Sequence, residues 1–267
     1  MDEAILKTLI LYDLLDFPLK SYEIQKFLIG EKGNLNEVDK SLKILEKKKK
    51  IYHRSGLYTL SKRKVLIARR FKRLSLSSNK FFRAKALSKL FFLIPWVRLV
   101  GVSDDLSRFN LKSSKEKVGL TLICGRNRGN LSSYLVNLIV SLLGITKKYN
   151  IDWIVTEDQL NKLDQNIYTS LKILSLTPFW QKKGIYNLLL EKNPWIFEYF
   201  PNWINPIKTT PIKRVKKTKL LSSSGLNLLD YLDKKMGSEK EGLNSDLSFE
   251  QELTREYMKR IKRYRLN

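Results

Sequence analysis

The sequence predicts a mixed α/β (α+β) chain in which a small helical unit with a β-hairpin precedes a mixed sheet with flanking helices. Apolar residues recur at helical spacing through the first 47 positions, then give way to two short strand-like runs about a Ser-Gly pair. After Pro95 strand-like and helical runs alternate, the order of an α/β unit. The 267 residues are 43% hydrophobic, with 12 Phe, 12 Tyr and 5 Trp, which supplies a packed core in one large domain or a few small ones.

AILKTLILYDLLD is an apolar helix stopped near Pro18, and Ser21 is placed to cap a short second helix that ends at Gly30. A third helix is expected from Asn36. Its Val38, Leu42 and Leu45 share one face, which leaves Lys40, Lys43 and Lys47 on the other. IYHRSGLYTL reads as two strands around Ser55-Gly56, and this order of elements over residues 1–60 is that of a winged helix-turn-helix. Residues 61–94 form a connecting helix, and the stretch from Lys62 to Ile94 contains no acid, so its basic face needs solvent or a partner.

WVRLVGVS, VGLTLIC and IDWIVT are the strands of a domain over residues 95–203, with LSSYLVNLIVSLLGIT a buried helix between the last two. That run falls short of the roughly 20 residues a membrane span needs and carries Ser and Asn. NIYTSLKILSLTPFW and GIYNLLLEKNPWIFEYFPN read as helical segments. Residues 204–247 form a basic linker, rich in Lys, Pro and Thr, with a short helix. A helix from about Phe249, capped by Ser248, occupies residues 248–267 with Phe249, Leu253, Tyr257, Ile261 and Tyr264 in one stripe.

Lys and Arg number 51 against 26 Asp and Glu, a net charge of +25, and such a field gathers polyanions. Nucleic acid, RNA or DNA, is the expected partner, with a protein partner through the winged helix or the terminal stripe as the other class and no membrane partner. The expected contacts are Asn36, Lys40, Lys43, Lys47, Arg54, Arg69 and Arg70 on the helices and hairpin, and Lys213, Arg214, Lys216 and Lys217 in the linker. One cysteine and one histidine exclude an intramolecular disulfide and a Cys/His zinc site, and the expected setting is reducing and cytoplasmic. His53 lies in a hairpin strand and Cys124 at the end of an apolar one; neither reads as catalytic.

ILKTLILYDLLDFPLKSYEI, SGLYTLSKRK, LIPWVRLVGVS, NIYTSLKILSLTPFW and KNPWIFEYFPNW, in that order, resemble a family of predicted bacterial and archaeal nucleotidyltransferases. In that family a winged helix precedes a DNA polymerase beta-type catalytic domain, and the resemblance implies Mg²⁺-dependent transfer of a nucleotide. The residues that carry the chemistry depart from it. Asp104 and Asp105 stand where the family has a Gly-Ser pair that grips phosphates, and Lys117 and Gly119 stand where it has two metal-binding acids on one strand face. Asp152, or Asn150, matches the third acid, and Lys172 follows YTSL where an acid is common.

The expected function is therefore a catalytically degenerate nucleotidyltransferase-like protein that binds nucleic acid, with no catalytic residue, no metal ligand and no cofactor. The alternatives are a working transferase that holds Mg²⁺ through Asp104, Asp105, Glu116 or Asp152, and a protein-interaction adaptor. GRNRGN, residues 125–130, lacks the spacing of a phosphate loop and reads as a strand-to-helix turn.

Overall fold

The computed structural model describes residues 1–203, 244–264 and 266, with side chains in the last stretch from Glu252 onward. Lys213, Arg214, Lys216 and Lys217 lie outside the described residues, as does most of the linker.

Three helices open the chain: α1 (Asp2–Leu14), α2 (Ser21–Lys26) and α3 (Leu35–Lys47). Asn34 caps α3, its side chain accepting from the Glu37 N–H while the Glu37 carboxylate accepts from the Asn34 N–H. The helix therefore starts one residue before the expected Asn36. Ser21 is the first residue of α2 rather than its cap, a position taken by Lys20, and the helix ends at Lys26 instead of Gly30. The hairpin is as expected, with β1 (Ile51–Arg54) and β2 (Leu57–Leu60) antiparallel about Ser55 and Gly56, both at positive φ. Leu19, between α1 and α2, bridges to Tyr58 and adds a one-residue third edge.

A long helix, α4 (Val65–Ser88), and one 3₁₀ turn lead into the sheet. Its four strands are β3 (Val97–Val102), β4 (Val118–Cys124), β5 (Tyr149–Thr156) and β6 (Thr177–Gln181), in the order β5-β4-β3-β6. β4 and β5 run parallel, and the other two pairings are antiparallel. β6 was expected as part of a helix. It is an edge strand, where Pro178 costs no central ladder bond, and it sits so close to β3 that a Cβ on Gly101 would lie 2.6 Å from the Thr177 carbonyl oxygen.

Two cores cover the two faces of this sheet. On one, α4 and α6 (Gly129–Leu142) pack Ala84, Leu87, Val136 and Val140 onto Val100, Leu120 and Leu122. On the other, Leu99, Ile123 and Val155 continue into α7 (Ile167–Ser175), α8 (Ile185–Glu191), α9 (Ile196–Tyr199), α1–α3 and the C-terminal helix (Asn244–Arg263). The N-terminal helices therefore share a core with the far end of the described chain. α6 is not the buried helix its composition suggests: Tyr134, Leu138 and Leu142, at i, i+4 and i+8, are exposed because the sheet covers only the opposite face.

The C-terminal helix begins upstream of the expected cap, running through Ser248. Its Leu253, Tyr257 and Ile261 are buried in the molecule's own core, and Arg260 reaches the buried Asp13 at 2.5 Å. Three residues of the stripe expected to dock another protein, Leu253, Tyr257 and Ile261, are thus covered by the chain itself. No described helix is long and apolar enough to cross a membrane.

Candidate functional site

Chemistry-bearing residues gather where β3 ends. Ser103 leaves the strand, Asp104 follows at φ +54, and α5 (Asp104–Ser107) is a single turn that sends both carboxylates toward β4, β5 and α7. A non-glycine residue in the left-handed region is uncommon, and Asp is among the types that tolerate it. The resulting cleft has a volume of about 340 Å³. Ser103 Oγ lies 3.2 Å from Asp104 Oδ2 and 3.0 Å from Thr121 Oγ1, which ties the turn to the neighbouring strand.

Cations meet these acids directly. Lys172, only 2% exposed on α7, places its ammonium 3.8 Å from Asp104 Oδ2 and 5.4 Å from the centre of the Trp153 ring. Arg108, 8% exposed, comes within 3.8 Å of Asp104 and 3.7 Å of Asp105. Burial pushes the Asp105 carboxyl above the usual carboxylate range, against the pull of Arg108 and Lys112. The acids Asp104, Asp105, Glu116 and Asp152 line the cleft together with the cations Arg108, Lys112, Lys117 and Lys172, so its charges balance.

Two of the four acids serve local structure. Glu116 accepts from the backbone N–H groups of Lys112 and Ser113 and closes its own loop. Asp152 falls where the β4–β5 register slips by one residue, and its side chain fills the space beside Gly119: a Cβ at 119 would lie 2.6 Å from that of Asp152. An acid at position 119 and Asp152 in its observed place exclude each other. Asn150, the other match for the third acid, lines the same cleft. Among the described residues no three His, Cys, Asp or Glu side chains come together as a potential metal ligand set.

The expected nucleic-acid contacts lie elsewhere on the molecule. Asn36, Lys40, Lys43 and Lys47 are all exposed on α3, Arg54 is exposed at the end of β1, and Arg69 is exposed on α4. α3 and β1 are neighbours, with His53 Nδ1 3.9 Å from Glu46; Lys64 stands 4.8 Å over the Tyr52 ring and brings the start of α4 to the same hairpin. Arg70 does not share this surface. Its guanidinium grips both Glu23 carboxylate oxygens at 2.8 and 2.9 Å, donates to the Pro18 carbonyl and stacks 4.1 Å over Phe17. Arg70 faces inward because α4 packs its first turns on the helix-hairpin unit, a sidedness that acid-free composition leaves open.

Sequence reasoning passed over Arg108, although its spacing from Asp104 and Asp105 at i+4 and i+3 is a helical ion-pair signature. His53 stacks on Tyr58 in the hairpin, and Cys124 is fully buried in the sheet. No family model, curated protein or solved structure matches the chain.

Proposed function

We propose that the protein binds nucleic acid through its phosphates, on a nucleotidyltransferase-like scaffold whose former catalytic acids are neutralised by side-chain cations. The observation that carries the reading is the outer face of α3. Asn36, Lys40, Lys43 and Lys47 recur at i, i+4, i+7 and i+11, so they form one exposed stripe beside a hairpin that carries Arg54. The order of three helices, a bridge at Leu19 and a hairpin supports a winged helix as the frame of that stripe. Lysines suit phosphates better than base edges, so the binding is broad in sequence. A net charge of +25 adds long-range attraction, and a single cysteine suits a reducing, cytoplasmic setting.

Fluorescence anisotropy with labelled duplex and single strands tests this. The logarithm of the affinity is expected to fall linearly with that of salt concentration. Reversing the stripe (Lys40→Glu, Lys43→Glu, Lys47→Glu) is expected to weaken binding about 10- to 100-fold on every sequence and to flatten the slope by about 2–3. Binding that keeps its full strength and slope in this variant would reject the α3 face.

Mg²⁺, which the resemblance implies, does not suit the residues present. Lys172 and Arg108 already supply positive charge to Asp104, and Lys117 and Gly119 offer no carboxylate. Calorimetric titration with Mg²⁺ and each nucleoside triphosphate, corrected for chelation of the metal by the nucleotide, is expected to give no metal-dependent binding that Asp104, Asp105 or Asp152 supports. Metal-dependent binding that Asp104→Ala, Asp105→Ala and Asp152→Ala abolish would instead mark a working transferase.

A further inference from the structure

A second, larger cleft lies on the other side of Arg108, between the helix-hairpin unit and β6. Its volume is about 880 Å³. Its walls combine two chemistries. Phe17, Phe71, Leu74, Phe109, Phe179 and Trp203 give flat apolar surface, and Lys20, Lys26, Arg70 and Arg108 give positive charge. Among the described residues the one acid in the lining is Glu23, held by Arg70 through both oxygens.

Several donors on this wall are buried without an acceptor. Arg108 uses one terminal nitrogen for Asp104 and Asp105, while its Nε and Nη1 are buried with no hydrogen-bond partner among the described residues. Tyr12 Oη and Trp203 Nε1, in the same lining, are in the same position. Burial pushes the Tyr12 hydroxyl far above its usual range, so it stays a donor at any physiological pH. Buried donors are nearly always paired, and all of these atoms can donate, so the wall behind the cleft carries uncompensated positive polarity that favours an oxygen-rich anion. Lys26 is half-buried against Phe27 and Trp203, and burial lowers its affinity for a proton; a bound anion would restore it.

We propose that this cleft binds a nucleotide, its phosphate held by Lys26 in the positive field of the Arg108 behind it and its base by the aromatic wall. Bases stack on aromatic rings whatever their identity, and a compact dianion answers the cations of the lining. The nucleotide arrives free or as the end of a single strand. The site is separate from the α3 stripe and does not depend on it.

The test uses the full chain and calorimetry with AMP, CMP, GMP and UMP, beside inorganic phosphate and adenosine as the two halves. AMP is expected to bind at least about tenfold more tightly than either half, because one site engages both. Lys26→Ala and Phe71→Ala are each expected to weaken it about tenfold, Phe71→Ala with an unchanged melting temperature, since Phe71 is 54% exposed and its loss leaves no core cavity. The Lys40→Glu, Lys43→Glu, Lys47→Glu variant is expected to keep AMP binding, so this site and the α3 surface can fail separately. In that variant, displacement of AMP by a short single strand identifies the strand end as ligand, and AMP binding without displacement identifies the free nucleotide. No binding of any nucleotide at about 1 mM, binding indifferent to Lys26→Ala and Phe71→Ala, or loss of AMP binding in the α3 variant would each overturn the proposal.

Discussion

Replacing Arg63 and Arg260 with Ala together is expected to destabilise the fold by about 3–5 kcal/mol, well above the sum of the single changes. Asp13, with a side chain only 3% exposed, receives Arg63 Nε at 3.0 Å and Arg260 Nη1 at 2.5 Å. Either arginine alone still neutralises the carboxylate, so each single variant loses about 1 kcal/mol, the scale of a partly exposed pair. Losing both strands a buried charge. The contact also joins three distant parts of the chain, since Asp13 lies in the last turn of α1, Arg63 precedes α4 and Arg260 belongs to the C-terminal helix. Urea denaturation of the two single variants and the double variant gives the coupling directly. Strict additivity would mean that Asp13 reaches water once its partners are gone.

Lys172→Met is expected to cost about 1–2 kcal/mol, since the methionine keeps most of the volume and Arg108 still stands 3.8 Å from Asp104 when the ammonium is gone. The lysine is 2% exposed and its Nζ is 3.8 Å from Asp104 Oδ2. Adding Asp104→Asn should recover more than half of the loss, because an amide at 104 no longer requires a counter-charge. A loss that Asp104→Asn leaves untouched would place the ammonium's main partner elsewhere, in the rings of Trp153 and Tyr168 that it also approaches. The same pair of variants bears on the proposed degeneracy of the cleft, which assigns to Lys172 the charge that a metal would otherwise bring.

Local signals made much of the fold readable. The Val38, Leu42 and Leu45 repeat located α3, and Ser55-Gly56 located the hairpin because two successive positive φ angles need such residues. The three strands β3, β4 and β5 followed from apolar runs with polar boundaries. β6 escaped because TPFWQ has no strand period of its own; pairing with β3 imposes its conformation. The cleft was only half legible. Asp104, Asp105, Glu116 and Asp152 were visible as acids, yet that Glu116 closes its own loop and Asp152 fills the space beside Gly119 depends on loop closure and sheet register.

Sequence by itself determined the mixed α/β class, the order of α1–α4 and of strands β1–β5, the excess positive charge and the exposed lysine stripe of α3. These follow from periodicity, turn chemistry and composition, which act over a few residues. Tertiary structure alone decided which faces are covered: Arg70 turned in toward Glu23, Tyr257 and Ile261 enclosed by the chain, the outer face of α6 left open, and Arg108 standing between two clefts. Such outcomes depend on partners far away in sequence, and amphipathic spacing states only that a face exists, not what lies against it.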